Sequence, residues 1–210
     1  MCNQYNLALV GGAMNNIAKG RLTEVEWDIG NAGPGKVFPK YTGVVVRSEK
    51  DRLIGNAMTW GFPRVMRGAK GQLLKPRPVN NTRCEKLATP FWKGAAVNPD
   101  QRCLIPVSAF AEATGISPNM TTTWLSLPDQ PVFACAGIWR DSAEWGRCYS
   151  MVMCDARSDL HEIHDRMPVI LAPDDYESWL SSPLEELTAL CTPWNGQITI
   201  DYTDTKWGRL

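Results

Sequence analysis

The sequence predicts an α+β fold, with a mixed, mainly antiparallel and barrel-like β core and a few peripheral helices. Most of the 210 residues fall into short runs rich in β-branched and aromatic side chains, which are typical of strands. Glycine and proline interrupt these runs, and few segments show a helical pattern. A chain of this length can bury a substantial interior, so we expect residues 1–210 to form a single domain.

Four segments of strand-like length and composition form the expected core. They are residues 42–48 (TGVVVRS), 52–60 (RLIGNAMTW), 131–139 (PVFACAGIW) and 147–154 (RCYSMVMC). The run CLIPVSAFAEA at 103–113 predicts one more strand, because its side chains alternate between two faces. The face with small apolar side chains, expected to pack against another sheet, consists of Cys103, Ile105, Val107, Ala109, Ala111 and Ala113. The opposite face carries Ser108, Phe110 and Glu112.

Two short helices are predicted near the C-terminal end. The segment SSPLEELTALC at 181–191 has Ser182 as N-cap, Pro183 at the first helical position and Glu185 as the capping-box acid. Residues 173–180 (PDDYESWL) repeat the pattern with Asp174 as cap. A third short helix is expected near 13–20.

No apolar run reaches the length of a membrane-spanning helix, and the N-terminus lacks the order of basic and apolar residues found in signal peptides. The seven cysteines include no C-x-x-C pair, so we expect reduced thiols rather than disulfides or a structural zinc site. These features predict a cytoplasmic protein, nucleoid-associated if its source is bacterial, with no membrane partner.

Acidic and basic residues balance at 22 each, so the net charge gives no overall attraction to nucleic acid. Their distribution is uneven, because residues 64–86 contain seven basic residues and one acidic residue. Residues 172–188 contain five acidic residues and no basic one. The basic segment either binds a polyanion or forms a solvated loop, and charge alone does not choose between them.

Two motifs resemble those of other enzyme classes, but each lacks a feature that the class requires. GNAGPGKV at 30–37 matches a phosphate-binding loop up to Lys36, but Val37 stands where a magnesium-holding hydroxyl is required. HEIH at 161–164 is one residue short of the zinc-protease motif, and the chain has no third histidine. We therefore expect neither a metal nor an organic cofactor.

The chain begins MCNQYN, and removal of Met1 would leave Cys2 with a free α-amine. The amine has an ordinary pKa of roughly 7.7–8.0 and the thiol roughly 8.5, so both would have a nucleophilic fraction at neutral pH. Such a 1,2-aminothiol condenses with an aldehyde through its amine and closes a thiazolidine ring through its thiol.

Several further segments fit this chemistry. VNNTRCE offers Asn81 beside Arg83, SAFAEA offers Glu112, and IHDRMPVIL offers His164 and Arg166. NAGPG at 31–35 and TWGF at 59–62 complete the set. Together with the Met-Cys start, these segments resemble in order and spacing the SOS-response-associated peptidase (SRAP) family, over the chain from Cys2 to about residue 171.

The resemblance implies a protein that binds single-stranded DNA and crosslinks through Cys2 to abasic sites as part of the DNA damage response, with Met1 removed either by self-cleavage or by an aminopeptidase. It implies a catalytic set of Cys2, Asn81, Glu112 and His164. Glu112 would shuttle protons, and His164, with an ordinary pKa of roughly 6.5, would help to open the sugar. The expected protein is a monomer. The expected DNA-binding residues are Arg83, Arg166, Asn31, Trp60, Arg64, Arg67 and Arg77.

The chain also departs from the family pattern. Asn3 and Gln4 replace the usual Gly-Arg after the cysteine, and Val65 and Met66 stand where aromatic residues often occur. Two other classes therefore remain open. An N-terminal-cysteine amidohydrolase would use Cys2 on amides, and a non-catalytic single-stranded DNA-binding module would bind reversibly and in a salt-sensitive way.

Overall fold

The structure is a computed structural model that describes residues 2–7, 25–50 and 52–208. Within these residues strands predominate, and the predicted α+β class with a barrel-like core is confirmed. The first eight strands are β1 (Gln4–Leu7), β2 (Val25–Asp28), β3 (Gly35–Val37), β4 (Thr42–Glu49), β5 (Arg52–Trp60), β6 (Phe62–Arg64), β7 (Arg77–Val79) and β8 (Asn81–Arg83). The others are β9 (Arg102–Val107), β10 (Ala109–Thr114), β11 (Thr121–Ser126), β12 (Phe133–Ser142), β13 (Gly146–Asp155), β14 (Arg166–Pro168), β15 (Ile170–Leu171) and β16 (Thr199–Lys206).

Five strands close into a ring that forms the barrel. Its order is β13, β12, β9, β4 and β5, and a parallel pairing between β5 and β13 completes it. The valines of β4 at 44–46 are fully buried, as expected for a barrel wall packed on both sides. Gly43 has no side chain because a Cβ there would overlap the hydroxyl oxygens of Tyr5 and Tyr149, which are hydrogen-bonded to each other.

A second sheet lies beside the barrel and holds the N-terminus. Its order is β16, β11, β10, β1 and β3, with every adjacent pair antiparallel. The short strand β8 is added to the barrel through a parallel pairing with β13. A separate two-stranded arm, residues 62–79, consists of β6, β7 and the loop between them. Strands β1, β8 and β10 position the site described below.

The prediction of one continuous strand over 103–113 is wrong. The chain breaks at Ser108, so that β9 belongs to the barrel and β10 to the second sheet. Ser108 donates its backbone N–H to Asn6 O at 3.0 Å, which ties the crossover to β1. Every residue of β9 is buried, so the alternation read from the sequence does not separate an inner from an outer face there.

The structure contains three helices in its described part: α1 (Pro90–Val97), α2 (Tyr176–Ser181) and α3 (Leu184–Leu190). Helices α2 and α3 confirm the two predicted segments, but the predicted caps are wrong, because the N-cap positions are Asp175 and Pro183 and neither makes a side-chain cap hydrogen bond. The predicted helix near 13–20 lies outside the described residues. None of the described helices is both long and apolar enough to span a membrane.

Arg102 ties the helices to the barrel from inside the core. The residue is fully buried, and its guanidinium donates to Ala96 O at 3.1 Å, Trp179 O at 3.2 Å and Ser182 O. These carbonyls lie at or near the C-terminal ends of α1 and α2, where helices leave acceptors without intrahelical partners. One planar side chain thereby satisfies three orphan carbonyls.

We predict that Arg102→Ala lowers the free energy of unfolding by about 3 kcal/mol, because three buried acceptors lose their donor. Urea denaturation followed by circular dichroism measures this change. Arg52→Ala is the matched control, since Arg52 and its partner Glu26 are both more than half exposed and such pairs contribute about 0–1 kcal/mol. Equal stability losses for the two variants would contradict the assigned role.

Candidate functional site

Cys2 lies directly before β1 and is fully buried. Its carbonyl oxygen accepts hydrogen bonds from two adjacent side-chain amides, Asn80 Nδ2 at 3.0 Å and Asn81 Nδ2 at 2.5 Å. Asn81 starts β8 and Asn80 precedes it, so the barrel holds both donors in place. The two bonds fix the backbone of Cys2, and with it the carbon that carries both the amine and the thiol-bearing side chain.

The thiol of Cys2 is less acidic than the sequence-based expectation. Burial raises its pKa well above the ordinary value, and the nearby charge of Glu112 raises it further. The Sγ atom donates to Gln4 O at 3.3 Å. The thiol is therefore protonated at neutral pH, and any reaction through sulfur needs a base beside it.

Glu112 is the carboxyl whose charge acts on the Cys2 thiol. Strand β10 runs antiparallel to β1 with Ala111 opposite Gln4, so the next position, Glu112, falls opposite Asn3. The residue is 3% exposed, and burial raises the pKa of its carboxyl to about 7, with the charge of Asp165 contributing in the same direction. A carboxyl with this pKa is present in both protonation states near neutrality, as proton transfer requires.

This pKa predicts an unusual pH dependence of stability. Because the pKa is higher in the folded state than the ordinary 4.5, the folded protein binds more protons between these values, and stability falls as pH rises through about 5 to 7. The full difference corresponds to about 3 kcal/mol. We expect Glu112→Gln to lack this decline, so its stability relative to the unsubstituted protein should increase from pH 5 to pH 8 in urea titrations. Parallel stability curves for the two proteins would contradict the raised pKa.

Asn81 combines a bound donor with an open acceptor. The residue is 6% exposed, and while Nδ2 is engaged by Cys2 O, the buried Oδ1 has no hydrogen-bond partner among the described residues. An amide oxygen buried in this way is suited to accept a hydrogen bond from a nearby amine. Asn80 and Asn81, the two residues whose amides bind the Cys2 carbonyl, are called the clamp below. Asn80 was not predicted as a site residue, although the sequence shows the Asn-Asn pair at 80–81.

The surroundings of His164 favour its neutral form. Burial lowers its pKa, and the charges of Arg83 and Arg166 act in the same direction. Its Nδ1 atom accepts from Arg166 N at 2.9 Å and lies 2.7 Å from Asp165 Oδ1. A single Nδ1 cannot accept from the amide and donate to the carboxylate together, and the lowered pKa favours the first arrangement. The ring proton is then on Nε2.

Arg166 is already paired with carboxylates. Its Nη2 lies 3.1 Å from Glu85 Oε1, and its Nη1 lies 3.2 Å from Asp155 Oδ1 and donates to Glu85 Oε2 at 3.1 Å. The side chain thus holds the segment after His164 in place, and a phosphate would have to compete with these partners. Arg83 is exposed at the end of β8 and is better placed to meet an anion.

The remaining predicted DNA-binding residues do not form one cluster. Trp60 is fully buried, with its Nε1 donating to Asn80 O at 3.0 Å, so the ring positions the clamp from within the core. Arg64 and Arg77 face each other as exposed residues across the two strands of the arm. Arg67 donates to Gly71 O at 3.0 Å within the same arm, and Asn31 is exposed in the turn after β2.

Over the described residues there is no group of three or more histidine, cysteine or acidic side chains arranged to hold a metal ion. His161 Nε2 contacts Ala156 O at 3.0 Å, which gives this histidine a structural partner.

A β barrel beside a second sheet, with a buried cysteine before that sheet's N-terminal strand, two amides bonded to the cysteine carbonyl and a buried carboxyl nearby, defines the class of fold and site. The chain belongs to the SOS response associated peptidase (SRAP) family, whose family model matches residues 1–206. The resemblance read from the sequence is confirmed.

The chain is also similar to curated relatives, and solved structures share its fold. The chain is 29% identical over 107 residues to the abasic site processing protein YoqW of Bacillus subtilis (strain 168), and 30% identical over 86 residues to YobE of the same organism. These matches cover 48% and 39% of this chain, and the chain spans 47% and 39% of the length of the two relatives. A crystal structure from Bordetella bronchiseptica matches with a TM-score of 0.76 at 21% identity, covering 96% of this chain and 99% of that one. One from Bacteroides thetaiotaomicron gives 0.72 at 20%, covering 96% and 91%.

Proposed function

We propose that this chain acts as one domain that binds single-stranded DNA and captures abasic sites covalently through Cys2 after removal of Met1. The observation that carries the proposal is that the buried Cys2 thiol lies within the electrostatic influence of Glu112, whose burial raises its pKa to about 7. The names of the curated relatives, abasic site processing proteins, support the same class of substrate. The chemistry follows in three steps.

The first step is attack by the Cys2 amine on the aldehyde of the ring-opened abasic sugar. The nitrogen forms a bond to the aldehyde carbon, and loss of one water gives an imine. Asn80 and Asn81 hold the Cys2 carbonyl, so the amine is presented in one position, and the open Oδ1 of Asn81 accepts a hydrogen bond from the amine N–H. The neutral amine is the attacking form, and this hydrogen bond orients its lone pair toward the aldehyde carbon.

The second step closes the ring. The Cys2 sulfur bonds to the imine carbon, the thiol proton leaves, and the imine nitrogen takes up a proton to give a thiazolidine. Because burial keeps the thiol protonated, Glu112 in its ionised form removes that proton and returns one to nitrogen. No metal or organic cofactor enters either step.

His164 serves the step that precedes both. An abasic sugar is mostly closed, and its aldehyde appears only when the ring oxygen takes up a proton. With its Nδ1 engaged by Arg166 N, His164 presents an Nε2–H that can donate to that oxygen. The ion pairs of Arg166 with Glu85 and Asp155 keep the histidine segment oriented.

We assign DNA binding to exposed basic residues of the basic segment at 64–86. Arg83 adjoins the site, and the arm at 62–79 exposes Arg64 and Arg77. Such contacts act on phosphates and are independent of base sequence. We propose a monomer in the cytoplasm that meets single-stranded DNA, because only an unpaired strand can bring its sugar to a buried cysteine.

Release of Met1 is required, because the Cys2 amine is otherwise part of a peptide bond. We propose that the same residues perform it, in keeping with the peptidase name of the family. Glu112 takes the thiol proton, the Cys2 sulfur bonds to the Met1 carbonyl carbon, and the C–N bond between Met1 and Cys2 breaks as the proton passes to nitrogen. Water then hydrolyses the resulting thioester, which releases methionine and restores the thiol. An aminopeptidase would give the same mature chain. Protein made by in vitro translation without aminopeptidase activity separates the two, since self-cleavage predicts loss of Met1 there and its retention in Glu112→Gln.

The proposed function is tested by incubating the purified protein with a single-stranded oligonucleotide that contains one abasic site. We expect a shifted band that survives heating in denaturant and that is absent with undamaged DNA of the same sequence. Salt-sensitive binding in a native gel without such a band would instead support a non-catalytic DNA-binding module.

A further inference from the structure

A cleft of about 360 Å³ lies immediately beside Cys2 and is used by none of the steps above. Its volume falls at the lower end of the range for small-molecule sites, roughly 300–1,000 Å³. Asn3 and Gln4, the two residues after Cys2, form part of its wall, and Asn80 forms another part. The cleft therefore shares residues with the clamp on Cys2.

The lining has two kinds of surface. Phe38 and Trp207 supply aromatic rings, with Pro39 and Pro78 as flat apolar neighbours. Trp207 follows β16 and is held by its backbone N–H, which donates to Met120 O at 2.9 Å. The segment after the last strand thus brings an indole to the N-terminal site, although the two are far apart in sequence.

The polar part of the lining consists of side-chain amides. Asn80 Nδ2 donates to Asn3 Oδ1 at 3.2 Å as well as to Cys2 O at 3.0 Å, so Asn3 and the nucleophile are fixed by one group. Gln4 is 3% exposed and adds a third carboxamide to the wall. Amides both donate and accept hydrogen bonds, which matches the edge of a nucleobase.

No lining residue carries a charge. A phosphate or carboxylate group would find no cation there, whereas a flat, neutral heteroaromatic ring with hydrogen-bonding edges would find both stacking surfaces and amides. The ligand class indicated by the lining is therefore a nucleobase rather than a sugar-phosphate.

We propose that this cleft receives the nucleobase next to the abasic site, stacked on Trp207 and Phe38 and contacted by the amides of Asn3 and Gln4. The inference rests on the proposed function, because only a strand held at Cys2 places a neighbouring base at the cleft. The flanking base then positions the sugar, and the protein distinguishes abasic sites by their neighbours. Asn and Gln pair best with adenine, so a flanking adenine is the preferred occupant.

The test uses oligonucleotides with a tetrahydrofuran abasic analogue, which has no aldehyde and binds reversibly. Fluorescence anisotropy compares oligonucleotides with adenine beside the analogue to ones in which that flanking base is also absent, on the 5′ and 3′ sides in turn. We expect the base on one side to tighten binding about tenfold, the value of one stacked base. Trp207→Ala should remove this difference, and Gln4→Leu should reduce the preference for adenine over thymine.

Tyr202→Ala is the matched control, because Tyr202 is 66% exposed on β16 and lies outside the cleft. It should keep the full effect of the flanking base. Binding that ignores the flanking base on both sides, or a Trp207→Ala variant that retains the effect while circular dichroism shows it folded, would overturn the cleft assignment. In parallel, each protein is incubated with the aldehyde-bearing oligonucleotide. Absence of covalent product in that reaction would contradict the proposed function, whatever the anisotropy shows about the cleft.

Discussion

Replacing Cys2 by alanine is expected to abolish the heat-stable adduct with abasic DNA completely. This variant lacks the thiol proposed to release Met1, so Met1 is removed from it with an added aminopeptidase. Alanine then keeps an N-terminal amine and the imine still forms, but no sulfur is present to close the ring. The imine hydrolyses on denaturation, and only borohydride reduction before loading should preserve a crosslinked band. The paired result, no stable adduct but a reducible one, separates the role of the thiol from that of the amine.

The matched control for this substitution is Cys191→Ala, which removes a half-buried thiol elsewhere in the fold. That variant should crosslink like the unsubstituted protein. Mass spectrometry must show that Met1 is absent from both variants, because a retained methionine would block the amine. A stable adduct in Cys2→Ala would show that another nucleophile captures the sugar.

Replacing Glu112 by glutamine is the second large effect. The amide has nearly the same shape but cannot remove the thiol proton, and loss of a positioned general base costs about 10²–10⁴-fold in rate. With Met1 removed from both proteins by an added aminopeptidase, we expect the rate constant of adduct formation at pH 7 to fall about 10³-fold in the variant. Timed quenching of single-turnover reactions on a denaturing gel measures it.

The pH profile sharpens this prediction. Because burial raises the pKa of Glu112 to about 7, the rate in the unsubstituted protein should rise through pH 7 as the carboxylate forms. The slow rate of Glu112→Gln should lack that rise. Glu186→Gln, which removes an exposed carboxylate on α3, serves as control and should change neither rate nor profile. An unchanged rate in Glu112→Gln would remove the carboxyl from the reaction.

The sequence predicted the components of the site better than their surroundings. Cys2, Asn81 and Glu112 were each identified, and the structure places Cys2 in contact with the amide and within the electrostatic influence of the carboxyl. The strands at 42–48 and 52–60 were also predicted, because their β-branched runs reflect local preferences that tertiary contacts do not override.

What the sequence did not reveal depends on contacts between distant residues. The break at Ser108 is set by a bond to Asn6, and the high pKa of the Cys2 thiol arises from burial by other strands. Arg166 was predicted to bind DNA because its side chain is basic. In the structure its guanidinium already forms an ion pair with Glu85, which is far away in sequence. Trp60 looked available for stacking and is in fact fully buried.

Peptide mapping of the purified adduct tests the central claim most directly. After digestion of the DNA and the protein, the account predicts one modified peptide that begins at Cys2, with a mass equal to the peptide plus the ring-opened sugar fragment minus one water. Borohydride treatment of the adduct should leave that mass unchanged, because a thiazolidine contains no imine. Modification of a lysine, a peptide that still begins with Met1, or a mass that rises by two hydrogens on reduction would contradict capture by the Cys2 aminothiol.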